Sequence, residues 1–507
     1  MVAQVATTMS FLSELIAAFG GLQAVLVTAL CVLAMVMRPK NLPPGPTGLP
    51  IVGNVFSLMT NATPVVYTEW SKKYGDVFTV YRGPMMSIVL NGYAAIHEAL
   101  VKNADVFSSR YSSTASVPPA GIISGTGIVR EPYGPKLKEH RKFALVSLRD
   151  FGVGKRSLEG KILEETRALQ QEMCKHGGQG FCISQMLQNT VSNVICSIVF
   201  GRRYEYDDKK FTDLLMAIDR VFSPTSVERL ALSFSPLRYI PGVRKGFLDL
   251  RKNQVTLVNH VKKRIREHHE TFDENDIRDF IDAFLLESKK RQEDENSTFT
   301  DEELTMIVLQ LFLAGTHTTS VTLRWALLYM ILHPAIQEKV QQEIDSVLGP
   351  DQDPSMVHRS QMPYTEATLA EVNRLASVAP FSVPHGTSSD TTFRGYNIPQ
   401  DTFVEVNLWS VHHDPQLWPE PSKFDPTRFL NDAGKFVKRN EVIAFSTGRR
   451  ICLGEQLARM EIFLIFTSLL RRFTFKLPEG APKPPEEGVF LGIHSPVPFK
   501  LIAEPRN

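Results

Sequence analysis

No Cys-x-x-Cys pair occurs in the 507-residue chain, whose five cysteines, Cys31, Cys174, Cys182, Cys196 and Cys452, are odd in number and irregular in spacing. Neither a disulfide framework nor a structural zinc site is indicated, and a reducing compartment fits best. Beyond residue 50 there is no glycine–serine linker, low-complexity tract or internal repeat, so the three or so domains that length alone would suggest are not marked. Neither sign of charge is in excess: the formal net charge is +2, which gives no reason to invoke nucleic acid. What is present, 43% hydrophobic and 22% charged residues, is globular composition with material for a large core.

Residues 1–37 contain no lysine or arginine and one acid, Glu14, and Leu15–Met37 is an uncharged run of 23 residues. That run is long enough to span a bilayer. Arg38 and Lys40 follow it, so the positive-inside bias puts the N-terminus outside or in a lumen and the bulk of the chain in the cytosol. A cleaved signal peptide would carry a basic n-region and a shorter apolar stretch. The expected organisation is a retained anchor over 1–37, a basic and proline-rich tether over 38–50, and a catalytic domain over 51–507.

Proline is also missing from residues 300–333. Thr300-Asp301-Glu302-Glu303 fits a capping box, in which the threonine hydroxyl accepts from the amide three residues on and Glu303 reaches back. A helix of roughly thirty residues, about 45 Å long, is expected. It is apolar on nearly every side around Leu309–Leu313 and should be buried there. At its centre, FLAGTHTTS (312–320) places Gly315, three threonines and a titratable His317. Glycine costs about 1 kcal/mol against alanine in a helix interior, so something must approach the backbone at this point.

Elsewhere, Val77–Tyr81 and Ser87–Leu90 form a hairpin pattern around Gly83-Pro84. Helical patterns cover 158–175, 183–200, 211–222, 248–269, 277–289, 336–348, 364–377 and about 453–473; short strand patterns cover 390–396 and 402–407. The fold class expected is mainly α with minor β. In 233–243, Phe234, Leu237, Tyr239 and Ile240 lie among prolines; this is either an apolar loop dipping into a membrane or a packed core loop.

Phe445-Ser446-Thr447-Gly448-Arg449-Arg450-Ile451-Cys452-Leu453-Gly454 sets one cysteine just before a helix. Free amides and the macrodipole there favour a thiolate, lowering its pKa and making it a metal ligand. Gly448 and Gly454 permit tight turns and close approach of a flat cofactor, and Arg450 offers a fork to a carboxylate. The spacing Phe-x-x-Gly-x-Arg-x-Cys-x-Gly resembles in full the signature of the haem-thiolate monooxygenases, the cytochrome P-450 family. The resemblance covers essentially the whole chain. Glu371 and Arg374 resemble the family's Glu-x-x-Arg pair, and Arg428, within Phe424-Asp425-Pro426-Thr427-Arg428-Phe429, the arginine that joins it in a structural triad. The tether, Tyr133-Gly134-Pro135 before Arg141-Lys142-Phe143, and Met362-Pro363-Tyr364-Thr365-Glu366-Ala367 most resemble the animal microsomal family-two enzymes. Among these, the branches that hydroxylate fatty acids and vitamin D are the most similar.

That resemblance implies a cytochrome P-450 fold behind a single transmembrane helix, in the endoplasmic reticulum membrane with the catalytic domain facing the cytosol. It implies haem b, ligated by Cys452, with propionates met by Arg110, Arg141, His385 and Arg450. Leu137 stands where the family usually has a tryptophan, so one propionate donor is absent. Ala314 and Gly315 would let the long helix pass close over the haem, and Thr318 would order water or dioxygen. The family usually has an acid just before that threonine; His317 is either a hydrogen-bonded core histidine or a replacement proton shuttle. Substrate contacts fall at Phe222, Leu311, Val378, Phe381, Val383 and Phe490, in segments poor in charge. They suggest a neutral or amphiphilic lipophile: a fatty acid, sterol, secosteroid or xenobiotic, with Asp219 a candidate for a cation. Electrons would come from NADPH through cytochrome P-450 reductase, docking near Lys138, Lys142, Arg449 and Arg459, with cytochrome b5 a further partner. Two other readings are a haem-thiolate isomerase or dehydratase acting on a peroxide, and a non-catalytic haem-binding protein. Thr318 argues against the first, and the intact cysteine loop against the second.

Overall fold

The proline-free stretch after Thr300 becomes the spine of the fold, a helix over Asp301–Leu332 that stops at His333, before Pro334. Thr300 Oγ1 accepts the Glu303 N–H at 3.3 Å, but Glu303 does not close the capping box. Its carboxylate is committed to a loop instead, accepting the Thr126 and Gly127 amides at 3.1 and 2.8 Å and pairing with Lys136 at 2.7 Å. The computed structural model describes residues 40–506 apart from 50–51, 59–61, 84, 112–124, 226–227, 229–230, 232–234 and 351. The expected anchor over 1–37 and Phe234 lie outside the described residues.

The longer described helices are α1 Thr63–Tyr74, α2 Pro135–Asp150, α3 Arg156–Cys174, α4 Ser184–Val199, α5 Lys209–Phe222, α6 Pro241–Thr271, α7 Phe280–Lys290, α8 Asp301–Leu332, α9 Pro334–Val347, α10 Pro363–Ala376 and α11 Glu455–Arg472. The strands are β1 Val77–Arg82, β2 Met85–Leu90, β3 His385–Gly386, β4 Thr391–Phe393, β5 Tyr396–Ile398, β6 Phe403–Val406, β7 Phe473–Lys476, β8 Val489–Phe490, β9 His494–Ser495 and β10 Ile502–Pro505. One sheet has the order β1-β2-β6-β3, with β2 and β6 parallel; β4–β5, β7–β10 and β8–β9 are antiparallel pairs. The mainly α class with minor β is thus observed.

The core lies where α4, α8 and α11 pack together, joining Val191, Val194 and Ile198 to Phe312, Leu323, Ile465, Phe466 and Leu469, all fully buried. Each such side chain contributes about 1.5–3 kcal/mol by leaving water. The apolarity of α8 therefore belongs to a core helix.

Several expectations change. The strand pattern over 390–396 is a hairpin, because Arg394 and Gly395 adopt φ of 50° and 81° and turn the chain between β4 and β5. Helix α6 begins at Pro241, a residue suited to the first helical turn, rather than at Leu248. Before it, Tyr239 and Ile240 are 80% and 48% exposed, so a packed core loop does not describe these two residues. The tether is pinned along β1: Thr79 donates from Oγ1 to Pro43 O and from N to Pro44 O, both at 2.8 Å. A Cβ on Gly45 would collide with the Thr79 carbonyl.

Candidate functional site

The cysteine loop is shaped by two residues in the left-handed region, Ser446 at φ 63° and Gly448 at φ 76°. A Cβ on Gly448 would also collide with the Leu100 carbonyl. A 3₁₀ turn over Gly448–Arg450 follows, and Cys452 N donates to Phe445 O at 2.9 Å. Because α11 starts at Glu455, the Cys452 thiol meets the amides of Gly454 and Glu455 at the helix N-terminus. The expected lowering of its pKa does not occur in the bare chain: burial raises it and outweighs these amides and Arg141. The residue is nonetheless exposed. A side chain both desolvated and reachable faces an internal cleft. Gly454 has φ −88°, needs no special turn, and has no protein atom within 4 Å of a would-be Cβ. It lies in the turn that leads into α11, and the space beside it is open to a flat group, whose metal ion would hold the sulfur as thiolate.

Arg110, Arg141, Arg450 and His385 come together beside this cleft. Arg110 donates to the carbonyls of Val129 at 2.9 Å and of Val383 and Pro384, both at 3.1 Å. Arg450 donates to Ser108 O at 2.7 Å, Ile128 O at 3.2 Å and Glu131 O, and Arg141 to Ile451 O at 2.9 Å. His385 Nδ1 lies 2.7 Å from Phe107 O and so carries the proton. Burial lowers the pKa of all four, with mutual repulsion adding at Arg110, His385 and Arg450, the last reaching about 10. Among the described residues no carboxylate forms an ion pair with the three arginines, although Glu131 acts on Arg450 from beyond ion-pair distance. Buried cations without anions are costly, so this cluster fits a ligand bearing carboxylates, as haem does. Leu137 is buried at the edge of a groove of about 440 Å³ that also touches Tyr133, Lys138, Lys142 and Arg449.

On α8, Ala314 is exposed and Thr318 half-buried although Phe312 and Thr316 are fully buried, so one stripe of a core helix looks onto open space. The Thr318 hydroxyl donates to Ala314 O at 2.8 Å. Gly315 is turned elsewhere: its would-be Cβ lies 3.1 Å from Ile195 of α4, so its lack of a side chain serves helix packing rather than approach to the cleft. His317 is buried against α5, with Nδ1 3.0 Å from Asp219 Oδ1 and its ring stacked on Phe222 at 4.7 Å. Phe490 stacks on His494 at 4.3 Å, and a Cβ on Gly492 would collide with the Phe222 carbonyl, so the β8–β9 turn meets the end of α5. Val378 joins this group through its carbonyl, which accepts from His494 N at 2.9 Å, and Leu311 is half-buried on α8. Phe381 does not join it, packing edge-on to Tyr67 at 5.7 Å in a separate aromatic cluster, and Val383 is exposed beside Arg110.

Glu371 and Arg374 form a fully buried bidentate pair at 2.6 and 2.7 Å, with Arg428 3.4 Å from the same carboxylate. Arg374 also donates to His412 O at 2.6 Å. His412 Nε2 accepts from Ile443 N at 3.0 Å and its Nδ1 lies 3.0 Å from Ser377 Oγ, while burial pushes its pKa down to about 3. Sequence reasoning missed His412. It also missed Gln310, whose Oε1 accepts from Ile128 and Val129 N at 2.8 and 2.9 Å and so fixes the carbonyls that Arg450 and Arg110 use. Of the four expected docking cations, Arg449 is paired with Asp105 and Arg459 with Glu455 at 2.9 Å; Lys138 and Lys142 have no carboxylate partner among the described residues.

The sequence model of the family described as Cytochrome P450 matches residues 43–502. The chain belongs to the cytochrome P450 family. Human cytochrome P450 2U1 is 40% identical over 496 residues, covering 92% of this chain and 90% of the relative. Cytochrome P450 2H2 of Gallus gallus is 44% identical over 437 residues, 86% and 87% of the two chains. Cytochrome P450 2D15 of Canis lupus familiaris is 40% identical over 474 residues, 92% and 93% of the two. This cytochrome P450 is accordingly a monooxygenase of the animal family-two group, and haem is its cofactor.

Proposed function

We propose that this cytochrome P450 is anchored in the endoplasmic reticulum membrane and inserts one oxygen atom of O2 into a lipophilic substrate, with electrons from NADPH passed on by cytochrome P-450 reductase. Haem, when bound, would supply oxygen activation, to which a cysteine thiolate ligand would lend electron density. Cys452 would be that ligand, while Arg110, Arg141, Arg450 and His385 would hold the propionates. Thr318 orders water at its hydroxyl on the open stripe of α8, and His317 beside it is the titratable group that hands on protons. The carrying observation is the Cys452 thiol at the N-terminus of α11 beside three desolvated guanidiniums, Arg450 buried and Arg110 and Arg141 half-buried, with no ion-paired carboxylate among the described residues.

The apolar surroundings of Phe222, Val378 and Phe490 favour a neutral or amphiphilic lipophile, of fatty-acid, secosteroid or xenobiotic type. Exposed Tyr239, Ile240 and Leu248 favour contact with the membrane surface near the start of α6. Lys138 and Lys142 favour docking of an acidic electron donor by α2, cytochrome b5 included. The test is the carbon monoxide difference spectrum of the ferrous protein, followed by NADPH- and reductase-dependent turnover of fatty acids, sterols and aromatic drugs. A strongly red-shifted band that Cys452→Ser abolishes is expected. A native protein without that band, or turnover of a peroxide without NADPH, would overturn the reading.

A further inference from the structure

His317 is buried, yet its contacts are one-sided. Both Asp219, at 3.0 Å from Nδ1, and the stacked Phe222, at 15° between planes, belong to α5. The same Asp219 oxygen accepts from Gln188 Nε2 of α4 at 2.7 Å. Asp219 is 46% exposed and His317 only 8%, so solvent reaches the carboxylate end of the pair far more readily than the imidazole end. The approach is off line for a hydrogen bond, leaving Nδ1 without an aligned acceptor; the half-exposed carboxylate has the freedom to align when Nδ1 carries a proton.

Other charged and polar groups lie near the pair. Arg324, two turns along α8, acts electrostatically on Asp219 and donates to Pro496 O at 3.2 Å. On the other side of α8, Glu461 of α11 bonds Thr319. From α4, Ser192 donates to Thr316 at 3.2 Å. Among the described residues, Asp219 is the one carboxylate within 4.0 Å of the imidazole.

We propose that Asp219 is a positioning residue for proton delivery in this cytochrome P450: it holds the His317 imidazole by Nδ1 as a His–Asp pair, leaving Nε2 to take a proton from water and pass it on beside Thr318. This rests on the reading of His317 as the titratable group beside Thr318. Once aligned, a carboxylate at Nδ1 accepts its proton and so fixes the tautomer and orientation of the ring. The imidazolium gives up its Nε2 proton and regains one at the same nitrogen from water, while Nδ1–H stays on Asp219 and Asp219 stays ionised. The acid thus sits on a neighbouring helix, 98 positions before the imidazole it serves.

The test uses the full-length holoprotein in lipid and reads two quantities across pH: deuterium exchange at the His317 C2 carbon by mass spectrometry, and the fraction of NADPH electrons recovered in product. Asp219→Asn is expected to move the His317 exchange midpoint and the coupling profile together, and Asp219→Glu to restore most of both. A midpoint that moves while coupling does not would reduce the pair to packing and overturn the proposal. A midpoint unchanged in Asp219→Asn overturns it as well, while lower coupling in His317→Gln would leave the reading of His317 intact. Coupling identical to native in His317→Gln would overturn that reading and the proposal together.

Discussion

The Ile443 amide donates to Nε2 of His412 at 3.0 Å, and through it the cysteine loop is tied to the buried Glu371–Arg374 pair, because His412 O accepts from Arg374. His412→Leu leaves the Ile443 N–H unpartnered in the interior and strands Ser377. The cost is about 1–3 kcal/mol for the orphaned amide. His412→Gln, which keeps an acceptor and a donor, is expected to lose less. Urea unfolding together with the rate of haem loss checks both; equal stability of native and Leu variant would refute the link.

The same histidine makes stability depend on acid. Its folded pKa is pushed down to about 3 by burial, and that of His260 to about 4, against about 6.5 for an unfolded histidine. Below about pH 6.5 the unfolded chain binds protons that the folded chain refuses, so stability is intact above that pH and falls progressively towards pH 3. Each pH unit that separates the folded from the unfolded titration corresponds to about 1.4 kcal/mol. Unfolding at pH 7.5 and 5 is expected to show a clear loss at the lower pH, with a shallower slope in His412→Gln.

Arg374→Met removes one partner of a pair in which both side chains are fully buried. The remaining Glu371 charge would keep only Arg428, at 3.4 Å, and the Asp425 amide, at 3.0 Å. Breaking such a pair costs about 3–5 kcal/mol, which should appear as poor recovery of haem-loaded protein and a lower unfolding midpoint. The paired replacement Glu371→Leu with Arg374→Met is expected to recover part of the loss, since it leaves no unpaired charge.

What the sequence makes legible is periodic or motif-borne. The 300–332 helix follows from missing proline and a threonine cap, the first hairpin from β-formers around Gly83, and the Cys452, Glu371 and Arg374 groupings from fixed spacing. What it hides are single polar residues acting across long separations. His412 reaches Ile443 over 31 positions and Gln310 reaches Ile128 over 182, each without any local pattern. Helix α1 is hidden because only Pro64 and Tyr67 of its side chains are buried, too few for a period. Gly315 misleads for a related reason: a glycine marks a close approach, but not whether α4 or a cofactor makes it.

Leu137→Trp should strengthen haem retention. The leucine is buried beside Arg141 at the edge of the 440 Å³ groove, so the larger indole has room to enter and can present an N–H towards the cationic cluster. One added hydrogen bond to a carboxylate is worth about 1.5–3 kcal/mol at best, a slowing of haem transfer to an acceptor apoprotein by about tenfold or more. An unchanged transfer rate would mean that the indole does not reach a propionate.

Lys142 and Arg449 separate two kinds of surface cation on the same face. Arg449 is paired with Asp105 and stacked 5.0 Å over Tyr133, which leaves little of its charge for a visitor, whereas Lys142 has no carboxylate partner among the described residues. If an acidic electron donor docks on α2, Lys142→Glu should raise the reductase concentration needed for half-maximal turnover several-fold. Arg449→Gln should do so less. The difference is expected to shrink as salt rises and the Debye length falls from about 10 Å at 0.1 M to about 3 Å at 1 M. Steady-state turnover at several ionic strengths measures it. Equal effects of the two substitutions at low salt would place the docking surface away from the free lysines of α2.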